Sequence, residues 1–180
     1  MLPLTLRYGL AAGLIVAVPM CLMLTFAGHG SSWASSLFTG YLIMLLGLSL
    51  VFVGIKRFRD HALGGVIRFM PAFLMGLAIS TVASVIYVVG WEITLAATDF
   101  KFIDDYSNAS VEAVRARGAT AADIAAVTAK MAEFRAQYLN PMIRLSYTFI
   151  EIFPVGLLVS LISAALLRDS RILPARSSGG

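Results

Sequence analysis

The sequence predicts an all-α membrane protein, a four-transmembrane-helix bundle with an extramembrane helical hairpin between its third and fourth spans. Three observations carry this. First, the chain is 59% hydrophobic and only 13% charged, with a mean hydropathy of +0.85, whereas soluble domains average about 45–50% apolar and about 25% charged residues. Second, four long stretches are almost free of formal charge. Third, the basic residues sit in short clusters beside those stretches. A net charge of +4 and a pI near 9.5 would suit a nucleic-acid partner if the charge were spread over a surface. Clustered at span ends it acts as a topology signal, and the partner it implies is the lipid bilayer.

From Tyr8 to Ile55 no residue is formally charged, and the polar break Gly28-His29-Gly30-Ser31-Ser32 divides this run in two. The spans predicted here are 8–27 and 36–55, each about the 20 residues needed to cross some 30 Å of hydrocarbon. Arg7 before the first span resembles the start of a signal peptide. The apolar stretch is longer than the roughly 7–15 residues of a signal-peptide core and lacks a small-x-small cleavage site, so it reads as a retained anchor. The third span is 68–92. The fourth, 143–167, contains Glu151. Barrel strands are excluded because the segments are too long and too continuous.

Lys56, Arg57, Arg59 and Arg68 crowd the second connection, Arg7 precedes span one, and Arg168, Arg171 and Arg176 follow span four. An even number of spans puts all of these on one side, which the positive-inside bias makes cytoplasmic for both termini. Residues 169–180 form a short, basic, flexible cytoplasmic tail. Trp33 and Trp91 fall on the other side, as interfacial anchors at headgroup level.

The hairpin is 98–140. Gly118 followed by Thr120-Ala121-Ala122-Asp123 reads as a helix stop and then an N-cap with an acidic third residue. Phe102, Tyr106, Ala109 and Ala113 before it, and Ile124, Val127, Met131, Phe134 and Tyr138 after it, give two helical stripes expected to face each other. Asn140-Pro141 starts the last span. Small residues mark the packing seams: Gly9 and Gly13; Gly40, Gly47 and Gly54; Ala72, Gly76, Ser80 and Ser84; Gly156, Ser160 and Ala164. Such stripes let membrane helices approach closely, within one chain or in a homo-oligomer.

Few groups suggest chemistry. A carboxylate inside a span costs about 2.5–3.5 kcal/mol on insertion scales, so Glu151 is expected to be neutral, paired or beside a cavity. A rise of about 1.5 Å per residue puts it roughly 10 Å below Arg144. The expected polar intramembrane cluster is Glu92 paired with Arg144 at the outer rim, and Glu151 bonded to Ser84 or Tyr87 below. Pro154 is the expected kink, freeing the Ile150 carbonyl beside Glu151 for a proton, water or small cation. The competing reading is a protonated packing residue beside a plain bend. Lys56, Arg57, Arg59 and Arg68 are candidate contacts for anionic lipid, although positive-inside bias explains the same residues without a specific ligand and is the favoured reading. His29 and His61 lie on opposite sides, the acidic residues Asp99, Asp104 and Asp105 read as solvated, and Cys21 reads as a core hydrophobe. No catalytic, metal or cofactor pattern appears, so an enzyme is not expected.

The runs Val53-Gly54-Ile55-Lys56-Arg57-Phe58-Arg59-Asp60 with Gly64-Gly65, Tyr87-Val88 with Trp91-Glu92, Tyr138-Leu139-Asn140-Pro141, and Thr148-Phe149-x-Glu151-Ile152-Phe153-Pro154-Val155-Gly156 carry a resemblance. Together they resemble the bacterial membrane family DUF4199, domain of unknown function 4199, over most of the chain. The resemblance implies four spans and a bacterial inner-membrane location, with no activity, substrate or cofactor. Two functions from different classes follow. One is a non-enzymatic accessory or scaffold protein whose hairpin binds another membrane or periplasmic protein. The other is a small proton- or cation-handling carrier built on Glu151.

Overall fold

The computed structural model describes residues 1–26 and 37–174. The expected turn at 28–33, with His29 and Trp33, and Arg176 lie outside the described residues. These contain six helices and no strand: α1 (Leu2–Phe26), α2 (Leu37–Ala62), α3 (Phe69–Ala97), α4 (Lys101–Ala116), α5 (Ala121–Tyr138) and α6 (Pro141–Leu167). Of these, α1, α2, α3 and α6 are long and apolar enough to cross a membrane.

The helices overrun the charge-free runs that reveal them. Helix α1 starts at Leu2 and takes in Arg7, and α2 continues through Lys56, Arg57 and Arg59 to Ala62. What reads in sequence as a basic loop is therefore the end of a helix, because Lys and Arg are good helix formers and nothing breaks the chain before Gly64. Gly64 and Gly65 adopt φ of 64° and 91°, and the Gly65 N–H donates to the Arg59 carbonyl at 2.9 Å, closing α2 with a left-handed cap. Asn140 starts α6 by accepting from the Met142 N–H at 3.0 Å, with Pro141 in the first turn.

Thr120 and Asp123 form a reciprocal capping box at the start of α5. The Thr120 hydroxyl holds the Asp123 carboxyl below its ordinary 3.8. A folded value lowered in this way means the cap is at full strength above that pH and weakens as pH falls through the folded value.

The four long helices form a ring in which α1 and α6 occupy opposite corners while α2 and α3 touch across the middle. The glycines set both directions and distances. A Cβ on Gly9 would stand 2.5 Å from that of Val82, and one on Gly13 would stand 2.6 Å from that of Ile86, so α1 and α3 run parallel. A Cβ on Gly76 would stand 2.9 Å from that of Ser160, and one on Gly156 would stand 2.7 Å from that of Ser80, so α6 runs antiparallel to α3. On α2, Gly47 faces Val16 and Gly54 faces Tyr8, the antiparallel sense again. Backbones meet where side chains are smallest, as expected where lipid offers no hydrophobic drive for helices to associate. Gly40 departs from the expected seam, having nothing within 4 Å of where its Cβ would be.

Alternating directions collect Arg7, Lys56, Arg57, Arg59, Arg68, Arg168 and Arg171 at one end of the ring. Helices α4 and α5 belong to the other end and pack on each other. The buried side of α4 differs from expectation in part, since Tyr106 does meet Phe134 of α5, with ring centroids 5.9 Å apart. Ile103 is buried and Ser107, Val111 and Val114 are half-buried, whereas Tyr106, Ala109 and Ala113 are exposed. The stripe is shifted because Phe102 turns toward Trp91, with ring centroids 5.0 Å apart.

Replacing Gly13 by Ala drives a methyl into Ile86 and the Ala83 carbonyl; the expected loss is about 1–3 kcal/mol, the usual cost of overpacking. Gly40→Ala, in open space, should be neutral or slightly stabilising. Reversible unfolding in mixed detergent micelles compares the two.

Candidate functional site

A polar cluster stands where α3, α5 and α6 converge, and Arg144 is its centre. Its Nε and Nη2 each donate to one oxygen of Glu92 at 2.6 Å, a two-pronged pair between α6 and α3. Its Nη1 donates to the Tyr138 carbonyl at 3.1 Å. The guanidinium lies 5.1 Å from the Phe100 ring centroid and 6.0 Å from that of Tyr138, within cation–π range. Arg144 is buried, while Glu92 keeps 30% exposure.

Phe100 is held at φ 57°, next to Asp99 at φ 49°. Left-handed backbone costs a non-glycine residue about 1–2 kcal/mol. The turn is retained because it ends α3 with a bond from the Phe100 N–H to the Leu95 carbonyl at 2.9 Å and lays the ring beneath Arg144.

Trp91 was expected at the lipid headgroups. It is instead buried and donates from Nε1 to the Tyr138 hydroxyl at 2.7 Å. Burial pushes the Tyr138 phenol above its ordinary 10.0, so it stays neutral as the acceptor of that bond. An aromatic chain continues the contact: Trp91 meets Phe102, Phe102 meets Tyr106, Tyr106 meets Phe134, and Phe134 meets Tyr138, with centroids 5.0 to 6.1 Å apart. Tyr138 and Trp91 thus lock the ends of α5 and α3 together around Arg144.

The other expected members of the cluster separate. Tyr87 is buried and its hydroxyl donates to the Met20 sulfur at 2.9 Å. Ser84 does not reach Glu151; it donates to the Ser80 carbonyl of its own helix at 2.8 Å. Glu151 lies on an exposed flank of α6 with Ile150 and Pro154, not in the packed seam. Helix α6 continues unbroken through Pro154. The seam itself holds Ser80 and Ser160, whose hydroxyls are 3.1 Å apart and both bond the Gly156 carbonyl.

At the opposite end the proposed lipid contacts divide. Arg68 and Arg57 are exposed, and Arg57 donates to the Tyr8 hydroxyl at 3.2 Å. Lys56 pairs with Asp60. Arg59 does not face lipid at all: it is fully buried. Its Nε bonds Asp60 at 2.7 Å, its Nη1 bonds the Leu167 and Ile172 carbonyls at 3.4 and 3.0 Å, and its Nη2 bonds the Leu173 carbonyl. The carbonyl end of α6 draws a cation because it carries partial negative charge and unpaired acceptors. Helical phase could have revealed this, since Arg59 shares a face with Leu48, Val51 and Ile55, all fully buried. No phase signal announces Phe100, whose role depends on a turn.

Arg144 and Arg59 are each bonded to several fixed partners. Both arrangements hold elements in place; neither presents an idle nucleophile or base. Among the described residues no three His, Cys, Asp or Glu side chains converge on a possible metal position.

Residues 7–169 match the family described as protein of unknown function (DUF4199). The chain belongs to that family. Comparison with curated proteins and with solved structures returns no match. The part of the chain matched to DUF4199 holds Arg59, the Glu92–Arg144 pair, Tyr138 and Glu151 together.

Arg144→Ala should destabilise the protein by about 3 kcal/mol, the low end for breaking a buried pair because Glu92 is partly exposed. Arg144→Lys should restore little of it, since an ammonium cannot serve both oxygens of Glu92 and a carbonyl in one plane. Thermal unfolding in detergent measures both. Arg59→Gln should leave the ring folded but release 168–173, read as faster proteolysis after Arg168 and Arg171.

Proposed function

We propose that the protein is a non-enzymatic accessory or scaffold protein of the bacterial inner membrane, with both termini cytoplasmic. On this reading α4 and α5 form a helical hairpin on the outer side that binds another membrane or periplasmic protein. The observation that carries it is the Arg144 junction. A buried polar network whose members bond one another across elements favours one arrangement of those elements. Here it fixes α4 and α5 to the spans, which matters for a protein that presents a surface. The surface presented is polar: Asp104 pairs with Arg135 at 2.8 Å across the two helices, and Glu112, Lys130 and Glu133 are exposed. The inside assignment rests on the basic residues gathered at the other end.

A carrier reading has one observation in its favour, a carboxyl group, Glu151, within a span three residues before Pro154. The flank position of Glu151 and the tight Ser80–Gly156–Ser160 seam favour the scaffold. In proteoliposomes carrying a pH-sensitive dye, wild type and Glu151→Gln should collapse an imposed proton gradient no faster than empty vesicles. Faster collapse by wild type alone would establish the carrier.

Topology and binding are tested together in a Cys21→Ser background. A thiol at Lys130→Cys should react with an impermeant reagent applied to intact spheroplasts, and one at Arg171→Cys only after permeabilisation. A photo-crosslinker at residue 126 or 130 should give one heavier adduct that disappears with Arg144→Ala, while one at the lipid-facing position 162 should not. Adducts of self mass only, or adducts indifferent to Arg144, would defeat the scaffold reading.

A further inference from the structure

The basic end of the ring contains a cleft whose charges, unlike those of Lys56 and Arg59, are not taken up by carboxylates or carbonyls of the protein. It lies between α1 and α2, holds about 500 Å³, and is lined by Arg7 and Tyr8 from α1 and by Arg57 and His61 from α2. Leu4, Ala11 and Leu50 complete its walls. No carboxylate lines it. Asp60, next to His61 in the chain, is already engaged by Lys56 and Arg59. Among the described residues Arg7 has no acidic partner, and Arg57 uses one donor on the neutral Tyr8 hydroxyl at 3.2 Å.

Most of the apolar lining lies deeper than the cations, with Leu4 the exception, about one turn nearer the helix end than Arg7. Leu50 lies about 10 Å along α2 from Arg57, toward the middle of the span, at about 1.5 Å per residue. Ala11 lies deeper in α1 than Arg7. The cleft therefore offers cations at the mouth and an apolar wall that runs inward. Every lining residue belongs to α1 or α2, both long and apolar enough to cross a membrane, so lipid is the neighbouring source of a ligand.

We propose that this cleft binds an anionic phospholipid, with the phosphate held by Arg7 and Arg57 beside Tyr8 and an acyl chain laid against Ala11 and Leu50. An arginine fork suits phosphate oxygens in a planar, two-pronged contact. The apolar wall distinguishes a lipid from free phosphate, which would gain nothing from it. General positive-inside bias does not account for the site, because Arg68 and Arg171 serve that bias without lining any part of it. The proposal stands apart from the scaffold reading, and the two fail by different measurements.

The test uses the full-length protein in detergent with phosphatidylglycerol, phosphatidylcholine or inorganic phosphate added, and reads retained lipid by native mass spectrometry. Wild type should retain phosphatidylglycerol about thirtyfold better than phosphatidylcholine, as two arginines near an anionic headgroup imply. R7Q/R57Q should lose that preference, while R68Q/R171Q should keep it. Ala11→Trp, which fills the apolar wall and leaves every charge in place, should also weaken retention and guards against misfolding of the double variant. Equal loss in both double variants, no effect of Ala11→Trp, or displacement of the lipid by equimolar inorganic phosphate would overturn the proposal.

Discussion

Everything in this protein hangs on how closely α3 lets its neighbours approach. In water, helices are pushed together by the removal of apolar surface; in lipid that push is absent, and contact must be won by dispersion and hydrogen bonds at short range. Gly9 and Gly13 bring α1 onto Val82 and Ile86, and the alternation of Gly76, Ser160, Ser80 and Gly156 brings α6 onto the other side of α3. Because α3 is gripped on both sides over its length, its two ends are fixed points. One carries Glu92 and Trp91 to the Arg144 junction, and the other follows the glycine cap of α2. The polar clusters are consequences of that grip, since paired groups at a helix end meet only if the helices are already in register.

The two ends of the ring use arginine in three ways. Arg144 is caged by a carboxylate, a carbonyl and two rings, and Arg59 is caged by carbonyls and Asp60. Arg7 and Arg57 stand in an open cleft with no acid in its lining. The same residue type thus anchors elements where it is enclosed and offers charge where it is not. Distinguishing these states depends on which carbonyls and carboxylates lie within reach, and composition says nothing of that.

Sequence periodicity made the four spans legible because each is long and apolar enough to leave no other reading. It also marked Thr120, Asp123, Asn140 and Pro141, whose signals are local. Glu92 and Arg144 were readable as a level pair because antiparallel neighbours fix depth by simple rise per residue. What it misplaced depended on tertiary contact. Trp91 resembles an interfacial anchor until Tyr138 and Phe102 enclose it, and the α4 stripe shifts because Phe102 has a better partner outside its own helix. Glu151 looks deep along the helix axis, yet rotation about that axis carries it to the flank. Gly40 keeps the seven-residue spacing of Gly47 and Gly54 but lies where nothing faces it.

The contacts of Arg59 also set an order of assembly. Arg59 emerges from the ribosome with α2, but the carbonyls that enclose it, at Leu167, Ile172 and Leu173, are made more than a hundred residues later. Until then its guanidinium needs water or Asp60 alone, and the first two spans cannot bury it at no cost. The cage around Arg59 is therefore complete only once the last span and the residues that follow it are in place.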